Sequence, residues 1–443
     1  MSAYKDFNKL FQDKQIEEIY NEKVKLKPST GLDGINKETF EKDIESNIKI
    51  INRKVNNNTY KFTPYKEKLI NKGRDKVPRV ISIPTIRDKV TLAILHKILS
   101  NAFAGDINLE IVQTVISKVK TTMNNSNYNY FIKIDIEKFY DNINHDMLIS
   151  KVRRKVRKKE LINLISNAIK TPTISPTTSK PYIQNKRGVP QGLSISNILA
   201  NIYLNQLDKN FNNQHEFAYF RYVDDVLIIC NKDHKEKIEN KLEKHINSLE
   251  LKYNKDKKQH GLLSQEFSFL GYNFIDNVAG IREHNIFKLE KSLVEVFTRY
   301  KYSDFKRTSE FVWNLNIKIT GGIIDENKYG WLFFYSQIDD LSILYRLDWF
   351  VEKLFKRFEI QNISEKSIKK FVRTYHEILF NRSGSNYIPN FDKYEIKQKK
   401  DLLINVFNLK RLRNADDEKI DRNFRKYIFN SLKKLEQDIQ HLS

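Results

Sequence analysis

Cysteine is all but missing from these 443 residues, with Cys230 standing alone. A lone thiol excludes an intramolecular disulfide framework and a cysteine-based zinc site. An apolar leader is missing as well: the opening MSAYKDFNKLFQ has no hydrophobic stretch of the signal-peptide kind, and no apolar run approaches the length of a membrane span. These absences predict a cytoplasmic protein with no membrane partner. Internal repeats and long linkers are lacking too. Acid is in short supply, 55 Asp and Glu against 78 Lys and Arg, for a net charge of +23 and a pI near 9.6. Such a field favours a polyanion, either nucleic acid or an acidic membrane surface, unless the excess is spread evenly and serves only solubility. What is present is apolar material, 40% hydrophobic and 12% aromatic, which argues against disorder. It suffices for one large core or two to three ordinary ones.

The densest chemistry lies in FRYVDDVLII, Phe220 to Ile229, where apolar and aromatic residues lead to Asp224 and Asp225 and a β-prone run leads away. The pattern predicts a β-hairpin with acid at its tip. Taken alone, the dipeptide fits a solvated turn at least as well, since Asp favours turns. If the tip is buried, adjacent carboxylates repel and need a cation opposite, a divalent metal being the obvious one.

Elsewhere the chain alternates helical and strand-like stretches. Residues 1–30 read as a helical lead-in. Between Tyr60 and Pro84, basic and apolar residues alternate around Pro64, Gly73 and Pro78, predicting a hairpin that carries Lys66, Lys68, Lys72, Arg74, Lys76 and Arg79. That basic face is either solvated or phosphate-binding. Val90, Ile94, Leu95 and Ile98 form a helical stripe, and Phe131 to Ile136 alternates as a strand, with Asp135 on the face opposite Ile132, Ile134 and Ile136. Asn144 is a candidate helix cap. Seven of the nine residues in KVRRKVRKK, 151–159, are basic, again either a solvated helix face or a phosphate contact. Gly188-Val-Pro-Gln-Gly192 precedes the stripe Ile195, Ile198, Leu199 and Ile202, a Gly-rich approach that lets a ligand near the backbone. Ile238, Leu242, Ile246 and Leu249 mark a further helix before the strand-like FSFLGY at 267–272. This order predicts an α+β layer with helices on one face of a small antiparallel sheet. Beyond about 285 strands give way to helices, among them Leu344, Leu347, Val351, Leu354 and Phe358, followed by the basic cluster Lys397, Lys399, Lys400, Lys410, Arg411 and Arg413. Asp339 and Asp340 read as surface or capping residues, and 381–386 as a mobile loop.

Three stretches occur in order: Asp135 within FIKIDIEKFYDNI, GVPQG at 188–192, and YVDD at 222–225. Together with GLDGI at 31, PRVISIPTIRDKV at 78–90 and FLGY at 269, they resemble the reverse transcriptases, most closely the bacterial branch that holds group II intron, retron and phage-defence enzymes. The resemblance covers roughly 240 residues and implies a right-hand polymerase: fingers over 31–130, palm over 131–285, and a helical thumb and extension over 286–443. It implies RNA-directed DNA synthesis from dNTPs with two Mg²⁺ ions, Mn²⁺ being the substitute. Asp135, Asp224 and Asp225 match the family's metal-binding carboxylates, and the Ile136 carbonyl is a further oxygen ligand of the kind hard Mg²⁺ prefers. Tyr140 matches the ring that excludes a ribose 2′-hydroxyl; from the residues alone it reads as a core aromatic. Gln191 and Gly192 match the substrate-contacting turn, Arg79 a triphosphate-gripping residue and Lys257 a general acid.

Asn197 stands where the family usually has proline, and the match around 254–258 is loose. The segments 314–322 and 329–348 faintly resemble the thumb of intron-type enzymes and the extension of defence-associated ones. Lys151, Arg153, Arg154, Lys397, Lys399 and Lys400 are the expected contacts to a structured non-coding RNA template and its DNA product. A short architecture without a nuclease module points by analogy to antiphage defence, with a mobile retroelement or retron as the alternative. A non-catalytic RNA-binding scaffold is the rival of another class, which a lost aspartate would have favoured.

Overall fold

The computed structural model describes residues 3–25, 29–71, 77–107, 109–125, 127–177, 182–381 and 384–439. Lys72, Arg74 and Lys76, expected on the basic hairpin, lie outside them, as do 382–383 of the expected loop. The chain packs into two compact units, one of 1–110 with 130–260 and one of 111–129 with 261–443.

In the first unit, helices Ala3–Leu10, Asp13–Ile19 and Ile44–Asn56 surround the helix Ile86–Ala102. That helix is buried on more than one face, through Val90, Leu92, Ile94, Leu95, Ile98 and Leu99, so the stripe legible in sequence is only part of its contact surface. Its start is fixed by Asp88, which accepts hydrogen bonds from Thr85 Oγ1, Tyr60 Oη and the Thr63 amide. Burial pushes the Asp88 carboxyl up to about 6 despite those donors. The expected hairpin is present as β1 (Tyr65–Ile70) and β2 (Arg79–Ile83), paired antiparallel from Lys66↔Ile83 to Ile70↔Arg79.

A second sheet builds the middle of this unit. β3 (Tyr130–Asp135) ends a central position, while β4 (Thr173–Ile174) joins β1 in parallel. β5 (Phe217–Tyr222) and β6 (Asp225–Cys230) form a hairpin, and with β7 (Gln259–Leu262) the order is β5-β6-β3-β7. Every residue of β6 is buried, as a strand covered on both faces should be. Ile132, Ile134 and Ile136 enter the main core with helices Lys159–Lys170, Ser196–Phe211 and Lys235–Ser248. Asn144 caps its helix as expected, accepting from the amides of Asp146 and Met147.

The second unit opens on β8 (Phe267–Phe269), β9 (Tyr272–Ile275) and β10 (Val278–Ile281), an antiparallel sheet where the sequence reading had one strand. Tyr272 donates to the Phe334 carbonyl, and the Ala279 amide donates to Asp339. Asp339 therefore ties the sheet to the helical region, and Lys120 completes the tie at 2.6 Å. Asp340 accepts from the Ser342 amide at the start of helix Ser342–Arg357, whose stripe Leu344, Leu347, Val351 and Leu354 is buried. A short ribbon, β11 (Gly322–Ile324) with β12 (Asn327–Tyr329), interrupts the helices. It packs with helix Asp417–Leu435 in a C-terminal core that includes Ile324, Phe391, Phe424 and Leu432. Among the described residues no helix is long and apolar enough to cross a membrane.

Candidate active site at the Asp224 turn

The β5–β6 register places Tyr222 opposite Asp225, leaving Val223 and Asp224 as a two-residue turn. β3 runs antiparallel to β6 with Asp135 directly opposite Asp225. Two carboxylates distant in sequence thus face each other at one end of the sheet, and the third sits in the adjoining turn. The Ile136 amide donates to the Asp224 carbonyl at 3.1 Å, fastening the turn to the end of β3. Beyond it, Asn254 N–H donates to Asp135 O and Glu137 N–H to Lys252 O, so the Ile136 carbonyl points away from that segment and toward the turn.

Like charges directly opposite across a sheet destabilise it, and here they are 8% exposed at Asp135 and 7% at Asp225. Burial raises the Asp224 carboxyl above its ordinary range, the Asp135 charge adding to this while Arg79 and Lys257 oppose it. Burial and the Asp224 charge push Asp225 up to about 7, against the pull of Lys133. Lys257 Nζ lies 2.9 Å from Asp135 Oδ2, held by a 3₁₀ turn, Lys255–Lys257, that the Asn254 side chain caps.

The donor set fits a hard divalent cation in kind: three carboxylates and a carbonyl, all oxygen. Among the described residues no three acidic, His or Cys side chains already converge as a metal cluster.

Around this centre the structure gathers the residues that sequence named separately. Tyr140, half-buried on the short helix Phe139–Asn142, lies within electrostatic reach of Asp224, Arg79 and Tyr222, and burial with the Asp224 charge pushes its hydroxyl up to about 12. Its carbonyl accepts from the Val189 amide, so the Gly188–Gly192 loop is tied to it. Gln191 O accepts from Ser82 N–H on β2, the strand that starts at Arg79. Gly192, at φ +96°, lies so close to β2 that a Cβ there would meet Ile81 Cγ2 at 2.6 Å. A Cβ on Gly188 (φ +88°) would meet the Asp141 carbonyl at 2.9 Å. The Gly188 carbonyl also accepts from buried His145, a contact sequence reading missed.

The family model described as reverse transcriptase (RNA-dependent DNA polymerase) matches residues 41–274, more than half of the chain and all of this site. The chain belongs to the reverse transcriptase family. Within that family it is similar to the protein of COX1/OXI3 intron 2 from Saccharomyces cerevisiae, 29% identical over 47% of this chain and 25% of the relative. The group II intron-encoded protein LtrA of Lactococcus lactis is 28% identical over 40% of this chain and 30% of its own length. The chain therefore spans about a quarter to a third of the length of these curated relatives. A telomerase from Candida albicans, solved with a fragment of telomeric RNA, is 14% identical with a TM-score of 0.49, over 92% of this chain and 69% of that one.

The basic residues of this family member divide into two kinds. Lys151 is turned inward, its ammonium 2.5 Å from the Tyr203 carbonyl, and burial pulls its pKa down to about 8. Lys399 pairs with Asp421 at 2.5 Å and is 15% exposed. Both therefore have partners within the protein, whereas the expectation from sequence was a contact to phosphate. Arg153, Arg154 and Lys397 are exposed, and Lys400 is half-buried. Sequence reading also missed Arg221 and Asp208, a buried ion pair beside the turn. The signal was a lone arginine inside the apolar FRYVDDVLII.

Proposed function

We propose that this chain is an RNA-directed DNA polymerase whose Asp135, Asp224, Asp225 and Ile136 carbonyl hold two Mg²⁺ ions. The observation that carries the reading is the Asp135↔Asp225 pairing beside Asp224, within a family-matched segment. When bound, the ions would activate the primer 3′-hydroxyl and neutralise the leaving pyrophosphate. The chain's own residues do the rest. Arg79 and the Gln191–Gly192 backbone orient the dNTP triphosphate beside Tyr140, whose ring excludes a 2′-hydroxyl. Lys257, 2.9 Å from Asp135, donates a proton to the leaving group once released from that carboxylate.

The template we propose is a structured non-coding RNA, gripped through exposed basic residues such as Arg153, Arg154 and Lys397, and the setting is cytoplasmic antiphage defence. The naming of LtrA as group II intron-encoded favours a second reading, the polymerase of a mobile retroelement. Sequencing the nucleic acid that copurifies with the protein separates these: one recurrent non-coding RNA with complementary DNA supports the first, intron RNA the second. Template-dependent dNTP incorporation that disappears in Asp225→Asn tests the chemistry. Incorporation at the normal rate by that variant would refute it.

A further inference from the structure

The acidic turn is held in an unfavourable backbone conformation. Val223 has φ +57°, in the left-handed region that a β-branched residue rarely adopts. Its neighbour is Asp224, so whatever stabilises this conformation also sets where that carboxylate points. No glycine stands here to make the geometry easy, and the burden falls on neighbouring contacts.

Those contacts converge on Arg221. Its guanidinium is 5% exposed and makes four hydrogen bonds: Nε to Asp208 Oδ1 (2.7 Å), Nη2 to Asp208 Oδ2 (2.5 Å), Nη2 to Asn201 Oδ1 (2.9 Å) and Nη1 to the Val223 carbonyl (2.8 Å). Tyr219 Oη donates to the same Asp208 at 2.9 Å. Burial works against the guanidinium charge, but the Asp208 carboxylate outweighs it and raises the pKa above its ordinary value, so the pair stays ionised. Asn201 and Asp208 both belong to helix Ser196–Phe211, which follows the Gly188–Gly192 loop directly. One planar side chain therefore joins the strained turn to the helix behind the nucleotide-contacting loop.

We propose that Arg221, anchored by Asp208 and Asn201, is a positioning residue that keeps Val223 in its left-handed conformation and so presets Asp224 for the metal. The bidentate fork explains why arginine is needed: a lysine ammonium cannot span Asp208, Asn201 and the Val223 carbonyl together. The inference rests on the proposed reading of Asp224 and Asp225 as metal ligands.

The test is the Mg²⁺ dependence of primer extension by the full chain, with a thermal melt of each variant as the check on folding. Arg221→Lys is expected to raise the half-saturating Mg²⁺ concentration about 10-fold or more, the scale seen when a partner that orients a metal ligand is lost. Synthesis should return toward wild type at high Mg²⁺. Should Arg221→Lys fail to fold, Asp208→Asn attacks the clamp from the helix and Tyr219→Phe removes one bond only; both are expected to shift the curve the same way, the latter less. Adding Val223→Asn, a residue that tolerates the left-handed region, to Arg221→Lys should restore part of the lost Mg²⁺ affinity. A wild-type Mg²⁺ curve in folded Arg221→Lys and Asp208→Asn, or an equal loss of synthesis at every Mg²⁺ concentration, overturns the proposal. Asp225→Asn in the same assay separates the two failures. Persistent synthesis in that variant overturns the metal-site reading and the clamp with it, whereas an inactive Asp225→Asn beside an unshifted Arg221→Lys overturns the clamp alone.

Discussion

Replacing Asp225 by Asn should abolish synthesis and yet stabilise the metal-free protein. The carboxyl ionises at about 7 in the fold against an ordinary 3.8, because burial and the Asp224 charge disfavour its ionised form. A folded-state pKa raised above the unfolded one means that the native protein binds the proton more tightly. The stability it contributes is full below about pH 4 and is lost as pH rises toward 7. That rise from 3.8 to about 7 corresponds to about 4 kcal/mol at pH 8 as an upper figure, of which asparagine, being unable to ionise, should recover about 2–4 kcal/mol. For units of this size that is a rise in Tm of roughly 5–10 °C. The assay is a set of thermal melts in EDTA from pH 4.5 to 8.5, repeated with Mg²⁺. The gain should fall to about 1 kcal/mol or less at pH 4.5, where wild type is also largely protonated. With Mg²⁺ at pH 8, wild type should gain more than the variant, since the cation restores what repulsion removes. A variant that melts at or below wild type in EDTA at pH 8 would refute the claim that these carboxylates are held together at a cost.

Tyr140→Ala should raise rNTP incorporation relative to dNTP on one template by an order of magnitude or more, and an unchanged ratio means that another residue gates the sugar. Gly192→Ala would drive a Cβ to 2.6 Å from Ile81 at φ +96°, so it should cost about 1–3 kcal/mol in a melt and raise the KM for dNTP by displacing the strand of Arg79. A wild-type KM in a folded protein would show that the loop and β2 do not act together. Neutralising Lys397 and Lys400 should weaken RNA retention and flatten its salt slope while sparing extension of a short primer–template, whereas Lys399→Gln should act through the melt, since its partner is Asp421. Retention unchanged in the Lys397 and Lys400 variant would leave that cluster as a solvated face.

The sequence by itself determined the hairpin with acid at its tip, the strand that ends on Asp135, the Asn144 cap and the helix stripes, because each depends on a period or on a neighbour a few residues away. It also carried the family, since ordered motifs survive without coordinates. Tertiary structure decided what those pieces do to one another. Only the β3–β6 register sets Asp135 opposite Asp225 and turns a pair of turn residues into a buried charge conflict. Only packing shows that Lys151 and Lys399 are committed to Tyr203 and Asp421 while Lys397 is exposed; a basic run looks the same in sequence whichever way its side chains face. The arginine two residues before the turn could be read in FRYVDD, but its partners Asn201 and Asp208 lie on a helix that only the fold brings alongside. Local propensity fixes conformation over a few residues, whereas charge neutralisation and strain are settled across distances in space that the order of residues does not encode.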